Sequence, residues 1–234
     1  MAFLTVLPVA TAEGAPGERL GRAYFPVVGA LIGLLAGLTF AVMTAVTAPL
    51  LAGVAAVALM ALLTGALHLD GVADAADGLL GGGDAAHRLE VMRDPRLGSF
   101  GTTAVVLVLA GNVAALASMT PARALVALVI AGAMSRLAML AVIALVPYVR
   151  QSGLGSAAWG GHRGFDLVLG SGFVVAVSLL DWRRAAAAVL VVAITAVTIS
   201  ALARRRIGGA TGDVYGATAE LCQLAALVVF AARV

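Results

Sequence analysis

The chain reads as an all-α polytopic membrane helical bundle, and three observations carry that reading. It is 62% hydrophobic and only 12% charged over 234 residues, with a mean hydropathy of +1.07. A single soluble core of this size does not bury so much apolar surface. The apolar residues gather into long runs, and the polar residues into four islands at 11–24, 70–101, 148–166 and 204–216.

A helix needs about 20 residues at 1.5 Å each to cross about 30 Å of hydrocarbon. Five runs approach that length, at 25–48, 50–69, 102–119, 124–147 and 185–203. Two weaker runs follow. Residues 165–180 are short and contain glycine, and 214–232 carries Glu220, so tilted, half-spanning or re-entrant segments suit them. The pattern predicts about seven transmembrane segments in one membrane domain covering 1–234. Pro49 and Pro121 punctuate two turns and Pro147 ends a run, as proline fits poorly inside a helix. The first ten residues lack a basic leader and read as mature chain. Cys222 is the single cysteine, so no disulfide framework exists within the chain.

Every basic residue is arginine, and their placement sets an orientation by the positive-inside rule. A cytoplasmic N terminus puts Arg19, Arg22, Arg88, Arg93, Arg96, Arg150, Arg163 and Arg204 to Arg206 inside. Arg123, Arg183, Arg184 and Arg233 fall outside, and Arg136 lies within a run. All four polar islands then face the cytoplasm. The sequence pI near 9.7 reflects orientation and contact with anionic lipid, and no nucleic-acid partner is expected.

The island at 68–78 reads His-Leu-Asp-Gly-Val-Ala-Asp-Ala-Ala-Asp-Gly. On a helix, Asp70, Asp74 and Asp77 share a face, within an arc of about 60° at 100° per residue. Three aligned carboxylates repel one another, and a hard divalent cation relieves that conflict, Mg²⁺ by default. Gly71 weakens a helix there and invites local unwinding. The cluster ends an apolar run, which points to chemistry on a phosphorylated substrate at a bilayer surface.

In a second constellation, Arg88, Arg93 and Arg96 surround Asp94, and Gly98 and Gly101 close the segment. Arginine forks match phosphate oxygens, Asp94 can complete a metal site, and the glycines let backbone amides approach a diphosphate. A third segment, Ile207 to Ala217, is a glycine-rich turn containing Gly209, Thr211 and Asp213, followed by Glu220. It resembles a phosphate cradle but lacks the Gly-Lys-Ser/Thr ending of a nucleotide-triphosphatase loop. Charged groups inside a span, here Arg136 and Glu220, are functional candidates by default. His68 reads as an interfacial histidine or a substrate contact.

Together these motifs resemble the cobalamin synthase family, adenosylcobinamide-GDP ribazoletransferases. The likeness runs through Phe3 to Pro8, Tyr24 to Gly29, His68 to Gly78, Arg88 to Gly101, Ser135-Arg136, Gly153-Leu-Gly155 and Ile207 to Ala217 with Glu220. It departs at Val6, where members often carry arginine. The resemblance implies a single integral-membrane catalytic domain in the bacterial cytoplasmic membrane, with its active site facing the cytoplasm. The implied reaction transfers the cobinamide phosphate of adenosylcobinamide-GDP to α-ribazole or its 5′-phosphate, releasing GMP, with Mg²⁺ as cofactor.

Asp70, Asp74, Asp77 and Asp94 are then the catalytic candidates. Asp70, Asp74 and Asp94 are the preferred metal ligands, while Asp77 or Asp213 completes a second ion or acts as base. Substrate contacts fall to His68, Arg88, Arg93, Arg96, Gly98, Gly101, Arg136, Gly209, Thr211 and Glu220. A homo-oligomer is compatible with the pattern. A CDP-alcohol phosphotransferase is the nearest alternative enzyme, but its Asp-Gly-x-x-Ala-Arg signature fails here because Asp74 follows Ala73. A divalent-cation transporter would carry acids deep in several spans, and only Glu220 fits that description.

Overall fold

The computed structural model describes residues 4–5, 21–150 and 163–232. A 3₁₀ turn at Arg22–Tyr24 leads into α1 (Phe25–Thr44), followed by α2 (Pro49–Thr64), α3 (Leu67–Leu80), α4 (Ala85–Val91) and α5 (Ser99–Ala117). Then come α6 (Pro121–Leu145), α7 (Arg163–Ser178), a 3₁₀ turn at Leu179–Asp181, α8 (Trp182–Ile207) and α9 (Gly212–Ala231). Among the described residues the only β-type pairing is an isolated bridge between Tyr148 and Ala210. Pro49 and Pro121 open α2 and α6, where a missing N–H costs nothing.

Five stretches are long and apolar enough to cross a membrane, or six if the bent α2–α3 pair makes one span. How neighbouring apolar runs are joined sets the count. Gly65 and Ala66 both adopt left-handed backbone, φ 59° and 56°, which ends α2 and turns α3 by 90°. The runs at 165–180 and 185–203 fuse into one 44-residue stretch, Gly164–Ile207. A straight helix of that length would be about 66 Å long, twice the hydrocarbon thickness. Both its ends instead lie at one end of the bundle. Arg22 pairs with Asp166 at 3.1 Å, and Arg204 donates to the Leu145 carbonyl at 2.6 Å. The stretch therefore folds back at Leu179–Asp181.

The buried centre is α6, whose inward face includes Leu128, Ile130, Met134, Met139 and Ile143. It packs antiparallel against α1 through glycine. A Cβ on Gly29 would sit 2.1 Å from the Gly132 carbonyl oxygen, and one on Gly33 would sit 2.1 Å from that of Leu128. In lipid no hydrophobic force drives one helix to another, so such close backbone approach supplies the packing energy. The outward faces carry Leu31, Leu35, Val106, Leu107, Val168, Val189 and Leu190 exposed, as expected of surfaces that meet acyl chains. The chain is a multi-pass membrane protein.

The end of the bundle holding Arg22 and Leu145 also holds the polar segments. Val149 N–H donates to Ala210 (3.0 Å) and Ala210 N–H to Pro147 (2.8 Å), so the segment after α6 is stitched to the turn before α9. Gly132→Val should break the α1–α6 contact, because the added carbons have only the Gly29 backbone to enter. Overpacking of this kind costs about 1–3 kcal/mol or more. The check is a thermal melt in detergent, where the melting temperature should fall by several degrees.

Candidate active site at the α3–α9 crossing

Residues 67–80 form one uninterrupted helix that runs straight through Gly71. Gly71 serves packing rather than unwinding. A Cβ there would lie 2.9 Å from the Asp213 carbonyl oxygen and 3.2 Å from the Gly216 Cα, and one on Gly216 would lie 3.2 Å from the His68 Cα. Two glycines thus let α3 and α9 touch backbone to backbone, and the residues beside them are Asp70, Asp74 and Asp213. Asp74, half-buried, lies within electrostatic reach of Asp213, Asp70 and Asp77, and of the Arg150 guanidinium. Four acids from two helices therefore share one region.

Within that region Asp77 and Asp213 already have partners. Asp77 accepts the backbone N–H groups of Gly98 (2.8 Å) and Gly101 (2.9 Å). It caps the first turn of α5 from a neighbouring helix, where free amides and the helix dipole favour a carboxylate. A Cβ at either glycine would lie 2.4 Å from an Asp77 oxygen. Those amides, expected from sequence to face a diphosphate, face Asp77. Asp213 pairs with Arg150 at 2.8 Å and accepts the Thr211 hydroxyl at 3.2 Å. Thr211 also caps α9, its oxygen accepting the Val214 N–H at 3.4 Å. Asp70 is exposed.

The remaining candidates lie around this cluster. Asp94 is outside the charges that act on Asp74. It pairs with exposed Arg96 at 2.6 Å, and the hydrogen bonds from Arg96 pull its carboxyl down to about 2. Arg93 is exposed. Arg88 is buried and donates to the carbonyls of Gly78 (2.9 Å), Leu79 (3.1 Å) and Gly83 (3.0 Å), closing the C-terminal end of α3. Gly209 makes room for the Pro147 carbonyl, 2.3 Å from where a Cβ would be.

Arg136, His68 and Glu220 lie inside the bundle, at 2%, 3% and 8% exposure. Arg136 donates to Ser135 Oγ and Gln223 Oε1, both at 3.0 Å, and its other Nη faces His68 Nδ1 at 3.3 Å. His68 Nδ1 is 3.9 Å from Glu220 Oε1. A cleft lined by Met60, Thr64, Asn112, Arg136, Glu220 and Gln223 adjoins them. The network joins α3, α6 and α9, and it fixes the first turn of α3 two residues before Asp70.

The residues 1–231 match the family model described as cobalamin-5-phosphate synthase. The chain belongs to the cobalamin-5-phosphate synthase family. An adenosylcobinamide-GDP ribazoletransferase of Stutzerimonas stutzeri is 37% identical over 235 residues, covering 99% of this chain and 96% of that one. One of Bradyrhizobium diazoefficiens is 35% identical over 235 residues, covering 98% and 90%. One of Syntrophobacter fumaroxidans is 36% identical over 230 residues, covering 96% and 93%. No solved structure matches the chain.

Sequence reasoning left Arg150 and Gln223 out of this family member's site. Arg150 reads as one more arginine of a basic loop, and only the fold brings it to Asp213. Gln223 had a weak signal, lying three residues after Glu220 on one helical face.

Among the described residues no three His, Cys, Asp or Glu side chains form a closed metal cage. The donors at the crossing are all carboxylate oxygens. Such a set suits a hard ion that takes one or two carboxylates and completes its shell with water and phosphate.

Two substitutions separate support from chemistry. Asp77→Ala should cost about 0.5–2 kcal/mol, the scale of a lost helix cap, with faster amide exchange confined to the first turn of α5. Arg136→Leu leaves Glu220 buried without its counter-charge and should cost about 3–5 kcal/mol, read as loss of monodisperse protein in detergent.

Proposed function

We propose that this chain joins adenosylcobinamide-GDP to α-ribazole, or to its 5′-phosphate, giving adenosylcobalamin or its 5′-phosphate and releasing GMP. Membership of the family and the near full-length relatives support that reaction. The observation that carries the site assignment is the meeting of acids from α3 and α9 at the Gly71–Gly216 contact.

In this reading Asp70 and Asp213 would hold Mg²⁺ at the substrate's diphosphate, where the ion would neutralise charge and lower the barrier to displacement. A ribose hydroxyl oxygen attacks the phosphorus on the cobinamide side. The bond from that phosphorus to the bridging oxygen breaks, and GMP leaves with the bridging oxygen. We assign Asp74, half-buried among the other acids, to accept the hydroxyl proton. Exposed Arg93 and Arg96 suit the phosphate of the departing GMP. Asp77 acts indirectly by fixing α5 against α3, and the buried Arg136–His68–Glu220 network acts by fixing the start of α3.

The arginine distribution supports a site on the cytoplasmic face, which in a bacterium means the inner face of the cytoplasmic membrane. That is where a nucleotide-activated substrate would be met.

Purified protein incubated with adenosylcobinamide-GDP, α-ribazole and Mg²⁺, followed by chromatography, should yield GMP and the complete corrinoid in equal amounts. Asp70→Asn and Asp74→Asn should each lower turnover about a hundredfold or more, the scale of losing a metal ligand or general base, without lowering the melting temperature. Excess chelator should stop the reaction and added Mg²⁺ restore it. Full turnover by both variants would remove the carboxylate cluster from the mechanism.

A further inference from the structure

Arg150 is the cation set among the acids at the α3–α9 crossing. Its Nη2 lies 2.8 Å from Asp213 Oδ2 and donates to the Met92 carbonyl at 3.2 Å. Its Nε is buried without a hydrogen-bond partner, and the side chain is 13% exposed. Against Asp70, Asp77 and Asp213, it is the positive charge acting on Asp74.

The backbone that carries Arg150 is pinned, because Pro147 and Val149 are hydrogen-bonded to Ala210. A change at this position therefore falls to the side chain, which pivots from a fixed base. A guanidinium and a divalent cation compete for the same carboxylate, since each is drawn by the acids and repelled by the other. A guanidinium displaced from Asp213 has a natural second partner in a diphosphate, whose oxygens match its fork.

We infer that Arg150 is a resident counter-ion of the carboxylate cluster, which yields Asp213 to the divalent cation and then grips the incoming diphosphate. The inference rests on the metal-and-diphosphate reading above and adds to it a residue and an order of events. Before substrate arrives, Arg150 holds the acids together against their mutual repulsion and keeps metal affinity low. With substrate bound, the same charge sits on a phosphate oxygen. Metal and diphosphate therefore bind cooperatively, each drawing Arg150 away from Asp213. Arg150 is a substrate-binding residue in this account, and its effect on metal affinity is opposite in sign to that of a structural support.

The test is Mn²⁺ binding to the full-length protein in nanodiscs, read as loss of the free-ion electron paramagnetic resonance signal, with and without adenosylcobinamide-GDP. Without substrate, Arg150→Gln should tighten Mn²⁺ binding about tenfold, the scale set by removing one unit charge beside the ion. With Mn²⁺ present, the same variant should bind adenosylcobinamide-GDP about tenfold more weakly, the scale of a lost charge-assisted hydrogen bond. Arg150→Met repeats the measurement with the aliphatic stem kept, so the result does not hang on one variant's folding. Arg150→Lys keeps the charge and should leave Mn²⁺ affinity near that of the unaltered chain.

Unchanged or weaker Mn²⁺ binding in the folded uncharged variants would overturn the inference and leave the proposed reaction standing. Absence of Mn²⁺ binding by the unaltered chain with substrate present, together with turnover in excess chelator, would overturn the metal reading and this inference with it.

Discussion

The close contact of Gly71 with Gly216 is the constraint on which the rest of the structure depends. A Cβ at Gly71 would press on the Asp213 carbonyl at 2.9 Å and one at Gly216 on the His68 backbone at 3.2 Å, so a side chain at either position pushes α3 and α9, and the acids they carry, apart. Within a membrane this approach has a second value. Backbone contact between helices supplies dispersion energy that the lipid does not match, so the feature that assembles the acids also helps to hold the bundle together. Assembly and the proposed site coincide at this crossing.

The surrounding structure is organised to hold α3 at both ends. At its start, Arg136, Gln223, His68 and Glu220 form a buried polar network linking three helices. At its finish, Arg88 takes up three carbonyls, and Asp77 ties α3 to α5. The left-handed pair Gly65–Ala66 separates α3 from the spanning direction of α2. The result is a short acidic helix set across the bundle and fixed along its length. The proposed meeting of these carboxylates with a metal and a diphosphate draws on that rigidity, because an ångström of slack costs orientation.

Much of this was legible in the sequence, for reasons that can be named. Long apolar runs announce membrane helices whatever their packing, and the i, i+4, i+7 aspartates announce a helical face because spacing alone fixes it. Motif resemblance over the whole chain identified the family. What sequence obscured was partnership across elements. Asp77 has the same spacing as Asp70 and Asp74, yet it serves the first turn of α5, and only the fold reveals that two amides lie above it. Gly98, Gly101 and Gly209 look like parts of a phosphate cradle, but they accommodate a carboxylate and a carbonyl of the chain itself. Arg88 looks like a surface cation and closes a helix end. Arg150, separated from Asp213 by more than sixty residues, had no local signal of its role. The joining of the apolar runs was hidden too, since turns at Gly65–Ala66 and Leu179–Asp181 decide it.

The central claim is that acids from α3 and α9 hold a divalent cation against the substrate's diphosphate. Pulsed electron–nuclear double resonance on Mn²⁺ in the complex with adenosylcobinamide-GDP tests it most directly. The account predicts a strong ³¹P coupling from a phosphate in the first coordination shell, lost when Asp70 and Asp213 are both replaced by asparagine. Bound Mn²⁺ with no phosphorus coupling, or a coupling indifferent to both replacements, would contradict it.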